Sequence, residues 1–95
     1  MSTKTEPVAK FRIGRIMSTP TALARLTQDD ILLGLQQHQA GEWGEVDEHD
    51  RLANEHALME GTRLWSVYHS TTGVKFWIIT EADRSATTVL LPEDY

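Results

Sequence analysis

The sequence predicts an α+β domain of two layers, with an N-terminal strand and two to three helices packed on a C-terminal three- to four-stranded antiparallel sheet. Three observations lead there. From Arg63 onward the segments "RLWSVYHS", "VKFWIIT" and "TTVLLP" are rich in β-branched and aromatic residues, separated by short polar connections. Between Pro20 and Gly61 the apolar residues instead recur at helical spacing, punctuated by helix-start and helix-stop residues. The chain has 95 residues, 40% of them hydrophobic, which suffices for one modest core and no second domain.

Each element has its local reason. Residues 1–10 are polar and contain Pro7, so they read as a flexible basic arm ahead of a single domain over residues 11–95. "KFRIGRIM" puts Phe11 and Ile13 on one side of an extended chain, which predicts a short strand over residues 11–17. In "STPTALARL", Ser18 or Thr19 can cap a helix whose first position is Pro20, a residue that lacks only an amide hydrogen the first turn leaves unpaired anyway. Thr27 followed by Asp30 opens a second helix with acids in its first turn, and Gly41 is placed to end it. Trp43, between Gly41 and Gly44, is expected to plug the core as the chain turns. Asp47, with Asp50 three residues on, begins a third helix that Gly61 terminates. "STTG" and "EADRS" then join three strands into an antiparallel meander, to which the early strand can add a fourth. "VKFWIIT" is long and apolar and belongs at the centre, with Lys75 guarding one end. If the early strand leaves an edge bare, a homodimer through the sheet edge becomes possible.

Composition removes several classes of function. With no cysteine there is no disulfide framework, no thiolate nucleophile and no cysteine-based metal site, which fits a cytoplasmic setting. No apolar stretch approaches the roughly 18 residues that span a bilayer, and the N-terminus has no secretory apolar segment. The net charge is −5, unevenly spread. Lys4, Lys10, Arg12, Arg15 and Arg25 crowd the first quarter, whereas seven acids stand against Arg51 alone between Glu42 and Glu60. A strong nucleic-acid binder is ordinarily basic overall, so direct nucleic-acid binding ranks below protein binding. Glycine-rich phosphate-binding patterns and methyltransferase motifs are absent, and no cofactor is expected.

Two stretches are candidates for function. The acidic helix region offers Glu45, Glu48 and Glu55 as carboxylates for a basic groove on a partner, although exposed helices are commonly charged for solvation alone. Asn54, mildly unfavourable within a helix, either pairs with a backbone group or marks a contact surface. The polar loop offers Glu81, Asp83, Arg84 and Ser85 at the end of the sheet; as a connector, Asp83 and Ser85 bond nearby amides, and as a site Arg84 is the better binder. His49 and His56 stand two helical turns apart, about 10 Å, too far to share a metal ion. His38 and His69 can join a site only through the tertiary fold, so no metal site is expected.

The second half of the chain also resembles a small uncharacterised bacterial family associated with plasmids and integrated mobile elements. The matching features are the G-x-W-G turn (Gly41, Trp43, Gly44), the D-x-x-x-N step (Asp50, Asn54), "IITEADRS" followed by Thr87 and Thr88, and "LLP" with the terminal Tyr95. The resemblance covers most of the chain after about residue 11. Some members carry labels such as plasmid-related protein or type I restriction subunit M; the second implies methyltransferase motifs that this chain lacks. The resemblance implies a setting, plasmid maintenance or host defence, and supplies no catalytic residues. The sequence therefore favours a non-enzymatic protein-binding or regulatory module using Glu45, Glu48, Glu55, Asp83 and Arg84. The alternatives are a small metal-dependent hydrolase or nuclease built on Asp83, Glu81 and a histidine, and a toxin-like RNA-acting domain with Arg63, Lys75 and Arg84 along its sheet.

Overall fold

Capping chemistry sets the helix starts in the computed structural model, which describes residues 8–95; most of the expected basic arm, residues 1–7, lies outside them. The element order is β1 (Arg15–Ser18), α1 (Pro20–Arg25), α2 (Gln28–Gln39), α3 (Glu48–Glu60), β2 (Leu64–His69), β3 (Lys75–Thr80) and β4 (Ala86–Leu90), then a 3₁₀ turn at Pro92–Asp94. Thr19 accepts the amide of Ala22 ahead of α1, with Pro20 in the first turn. Thr27 and Asp30 form a reciprocal capping box on α2. Asp47 accepts the Asp50 amide at 2.8 Å, a one-way cap on α3. Gly61 ends that helix in the left-handed region, at φ 73°, as its lack of a side chain allows.

The sheet order is β1-β4-β3-β2. β2, β3 and β4 form the expected antiparallel meander, with β3 central. β1 adds the fourth strand, but it runs parallel to β4, so the sheet is mixed. It is also shorter than the expected residues 11–17, and Gly14 is the reason. Gly14 sits at φ 67°, and a side chain there would strike the backbone of Arg84 and Ser85. The chain kinks at that point, and the Thr87 hydroxyl donates to the Ile13 carbonyl at 2.6 Å. Phe11 turns inward instead of extending the strand, its ring centroid 5.2 Å from that of His38 and 6.3 Å from that of Trp43.

The strand period of two divides the sheet into faces. Leu64, Ser66, Tyr68, Phe76, Ile78, Thr80, Thr87 and Val89 point toward the helices and are buried. Ala22, Leu26 and Leu35 pack there on Tyr68, Phe76, Ile78 and Val89. A second cluster gathers Trp43, Ala57 and Leu64, with Phe11, Val46 and Leu58 against it, so Trp43 does plug the core.

The outer edge of β2 is sealed. Val67 donates its amide to the Trp43 carbonyl at 3.0 Å and accepts the Glu45 amide at 2.8 Å. Two residues earlier the Asn54 side chain takes the place of a strand: its Nδ2 donates to the Trp65 carbonyl at 2.7 Å, and the Trp65 amide donates to its Oδ1 at 3.1 Å. Among the described residues no helix is long and apolar enough to cross a membrane.

Candidate protein-binding surface

The polar loop after β3 is held by its own backbone. Arg84 donates its amide to the Glu81 carbonyl, and Asp83 Oδ1 accepts the Ser85 amide at 3.0 Å. Hydrogen bonding from Ser85, its side chain first and then its amide, holds the Asp83 carboxyl below the usual carboxylate range. Arg84 lies at φ 63°, an uncommon conformation for a residue with a side chain. Its guanidinium turns back over the fold. Nη2 donates to the Ala57 carbonyl at 2.9 Å, and Nη1 donates to the Thr62 carbonyl at 2.6 Å and to Glu81 and Ala82. Arg84 thus caps the negative end of α3, stacked 5.7 Å over Phe11.

The acidic residues are engaged separately. Glu45 meets His69 Nδ1 at 2.7 Å, Glu48 takes both bonds of an Arg51 fork, and Glu55 accepts the Trp43 indole N–H at 2.9 Å. The Arg51 hydrogen bonds lower the Glu48 carboxyl. Glu48 bonds only within its own helix and Asp83 only within its own loop. The structure ties Glu45, Glu55, Asp83 and Arg84 to different neighbours. Among the described residues, no group of three or more histidines and acids is gathered to hold a metal ion.

His38 lies at the centre of a sealed polar chain. Thr87 gives its proton to the Ile13 carbonyl, so the 2.7 Å contact between Thr80 and Thr87 has Thr80 as donor. Thr80 must then accept from His38 Nε2 at 2.8 Å, which leaves Nδ1 to accept from Ser66 at 2.6 Å. The ring is neutral, with its proton on Nε2. Burial, and next the Arg84 charge, push its pKa down to about 3. Ser66 and His38 are each fully buried, so this serine–histidine contact has no access to a substrate.

The other face of the sheet carries a different constellation. Arg15, Met17, Trp65, Val67, Trp77, Ile79 and Leu90 take the alternate strand positions, on the opposite face, where Val67, Ile79 and Leu90 are nonetheless buried. On this side Trp65, Trp77, Ile79, Arg63 and the terminal Tyr95 line a cleft of about 220 Å³. Trp65 and Trp77 meet edge to face with centroids 5.4 Å apart, and Trp77 meets Tyr95 at 5.6 Å. Arg63 lies 5.7 Å over the Tyr95 ring and donates to its hydroxyl at 2.8 Å, with Glu81 3.6 Å from the guanidinium. The Trp65 indole Nε1 is buried without a hydrogen-bond partner, the only such side-chain atom among the described residues.

Sequence reasoning missed this cleft, although a signal was present. Trp65, Trp77 and Ile79 occupy the alternate positions of strands whose other positions are apolar too, and a strand apolar on both faces needs cover on both. Only the pairing of Trp65 with Ile79, and the return of Tyr95 to β3, turns those residues into one cleft. Comparison with protein-family models, with curated proteins and with solved structures finds no match for this chain.

Proposed function

We propose that the protein is a non-enzymatic protein-binding module that seats an apolar or aromatic side chain of its partner in the cleft of Trp65, Trp77 and Tyr95. The observation that carries this reading is the three-ring cleft of Trp65, Trp77 and Tyr95 on the sheet face opposite the one that packs on α1 and α2. Tryptophan, tyrosine and arginine are the residues that dominate binding energy at protein interfaces, most of all where an apolar pocket has a polar rim. Arg63 and Glu81 supply the rim. Glu48, exposed on α3, adds to the negative field that steers a basic partner. The resemblance to plasmid- and mobile-element-encoded proteins suggests a cytoplasmic role in plasmid maintenance or host defence.

Peptide display against the folded domain tests the reading. The selected peptides are expected to share one large apolar or aromatic anchor. Trp77→Ala, checked for intact secondary structure, should weaken their binding at least about tenfold, while Glu48→Lys changes it much less. Peptides that bind Trp77→Ala as well as wild type would remove the cleft from the proposal.

A further inference from the structure

We propose that the free edge of β1 is the interface of a symmetric dimer, in which two copies join their sheets through an antiparallel β1–β1 pair. This edge shares no residue with the aromatic cleft.

Arg15 donates its amide to Ser85, just ahead of β4, and Thr19 to Val89 of β4, and the register pairs Met17 with Thr88 between them. In a parallel ladder that alternation turns the amides and carbonyls of Ile16 and Ser18 outward, away from β4. Among the described residues neither finds a backbone partner. The opposite edge of the sheet, by contrast, is blocked by Asn54 and the Trp43–Gly44–Glu45 bridge. Edges left open in this way add strands.

The side chains beside that edge are apolar and exposed. Ile16 and Met17 are 52% and 41% exposed, and Leu23 and Leu32 are 61% and 55% exposed. Ile16, Leu23, Leu26, Ile31, Leu32 and Leu35 line a groove of about 470 Å³ between β1 and the helices α1 and α2. An added strand therefore meets outward hydrogen-bonding groups and an apolar floor together.

Symmetry and charge identify the occupant as a second copy. A two-fold axis through Met17 makes Ile16 of each copy the hydrogen-bonded partner of Ser18 of the other, so every outward group of both strands is paired. Shifting the axis to Ile16 would call on Gly14, which is kinked at φ 67°, and shifting it to Ser18 would call on Pro20, which has no amide hydrogen. The Met17 register thus uses both outward residues without either. It also places Arg15 opposite Thr19 of the second copy. The Thr19 hydroxyl donates to Asp94 at 2.6 Å, and Glu93 lies one residue away. Each exposed Arg15 then faces an acidic turn, twice by symmetry. The two grooves merge at the axis, with Ile16 of each copy beside Leu23 and Leu32.

Sedimentation equilibrium on the full chain, from micromolar to millimolar concentration, tests this. Wild type is expected to approach twice the 10.8 kDa mass of one chain. Met17→Lys, which sets two like charges against each other at the axis, should return the mass to that of one chain. Met17→Cys tests the register without depending on that variant. The chain has no cysteine of its own, and facing residues of a non-hydrogen-bonded antiparallel pair stand about 4.5 Å apart at Cα, within disulfide range. Mild oxidation should link Met17→Cys into a covalent dimer well ahead of Met59→Cys, a control on α3 that is 86% exposed in the wild type. A wild-type monomer throughout would overturn the proposal and leave the edge to a foreign strand. A dimer that survives Met17→Lys, or cross-links no faster at Met17→Cys than at Met59→Cys, would overturn this interface.

Discussion

A single imidazole gives this fold a pH dependence. His38 is fully buried between Ser66 and Thr80, with a pKa of about 3 against an ordinary 6.5. Between those values the unfolded chain binds a proton that the folded chain refuses. Stability from this group is therefore full above pH 6.5 and falls toward pH 3, by about 1.4 kcal/mol per unit. His38→Phe should abolish that slope in urea denaturation series. It should also lower stability near neutrality by about 1–3 kcal/mol, because Ser66 and Thr80 lose their partner. A slope that survives the substitution would assign the proton elsewhere. Arg84 and Glu55 show how side chains that look free in a sequence become internal. Arg84 spends its donors on the carbonyls of Ala57 and Thr62, and Glu55 is the acceptor for Trp43. Nothing within a few residues of either announces those partners.

At the scale of elements, helix starts and stops were legible because capping acts within one turn. Thr19, Thr27, Asp47 and Gly61 all take the expected roles. Asn54 was legible only as an anomaly within a helix, and the structure explains it as a one-residue substitute for a strand beside Trp65. Asn54→Ala should cost about 1–3 kcal/mol by leaving the Trp65 amide and carbonyl without partners. Amide hydrogen exchange at Trp65 should accelerate beyond that at Ile78 in β3. Equal acceleration across the sheet would show that the side chain merely stabilises the whole fold.

At the scale of the whole molecule, the C-terminus closes on the N-terminal corner. Asp94 accepts from the Thr19 and Thr21 hydroxyls and from the Leu91 amide. The Thr19 bond foremost, then the Thr21 and Leu91 bonds, holds its carboxyl below the ordinary 3.8, and amide bonds from Thr27 and Thr71 lower Asp30 likewise. A depressed carboxyl contributes stability above 3.8 that is lost as the pH falls through its folded value. Acid unfolding followed by circular dichroism should therefore show the His38 limb first and a carboxylate limb below it. Asp94→Asn should make only the lower limb shallower, leaving Asp30, Asp83 and Glu48 to supply the remainder; an unchanged lower limb would exclude Asp94. The sequence by itself determined the α+β class, the three helices with their caps, the meander and the placing of β3 at its centre. Those follow from periodicity and capping, which are interactions between near neighbours. Only the tertiary structure decided that β1 joins β4 in parallel, that Arg84 reaches Ala57 across 27 positions and that His38 meets Ser66 across 28. The aromatic cleft and the open β1 edge belong to that second kind. Each is made by residues distant in the chain, whose meeting depends on which face of the sheet the helices cover.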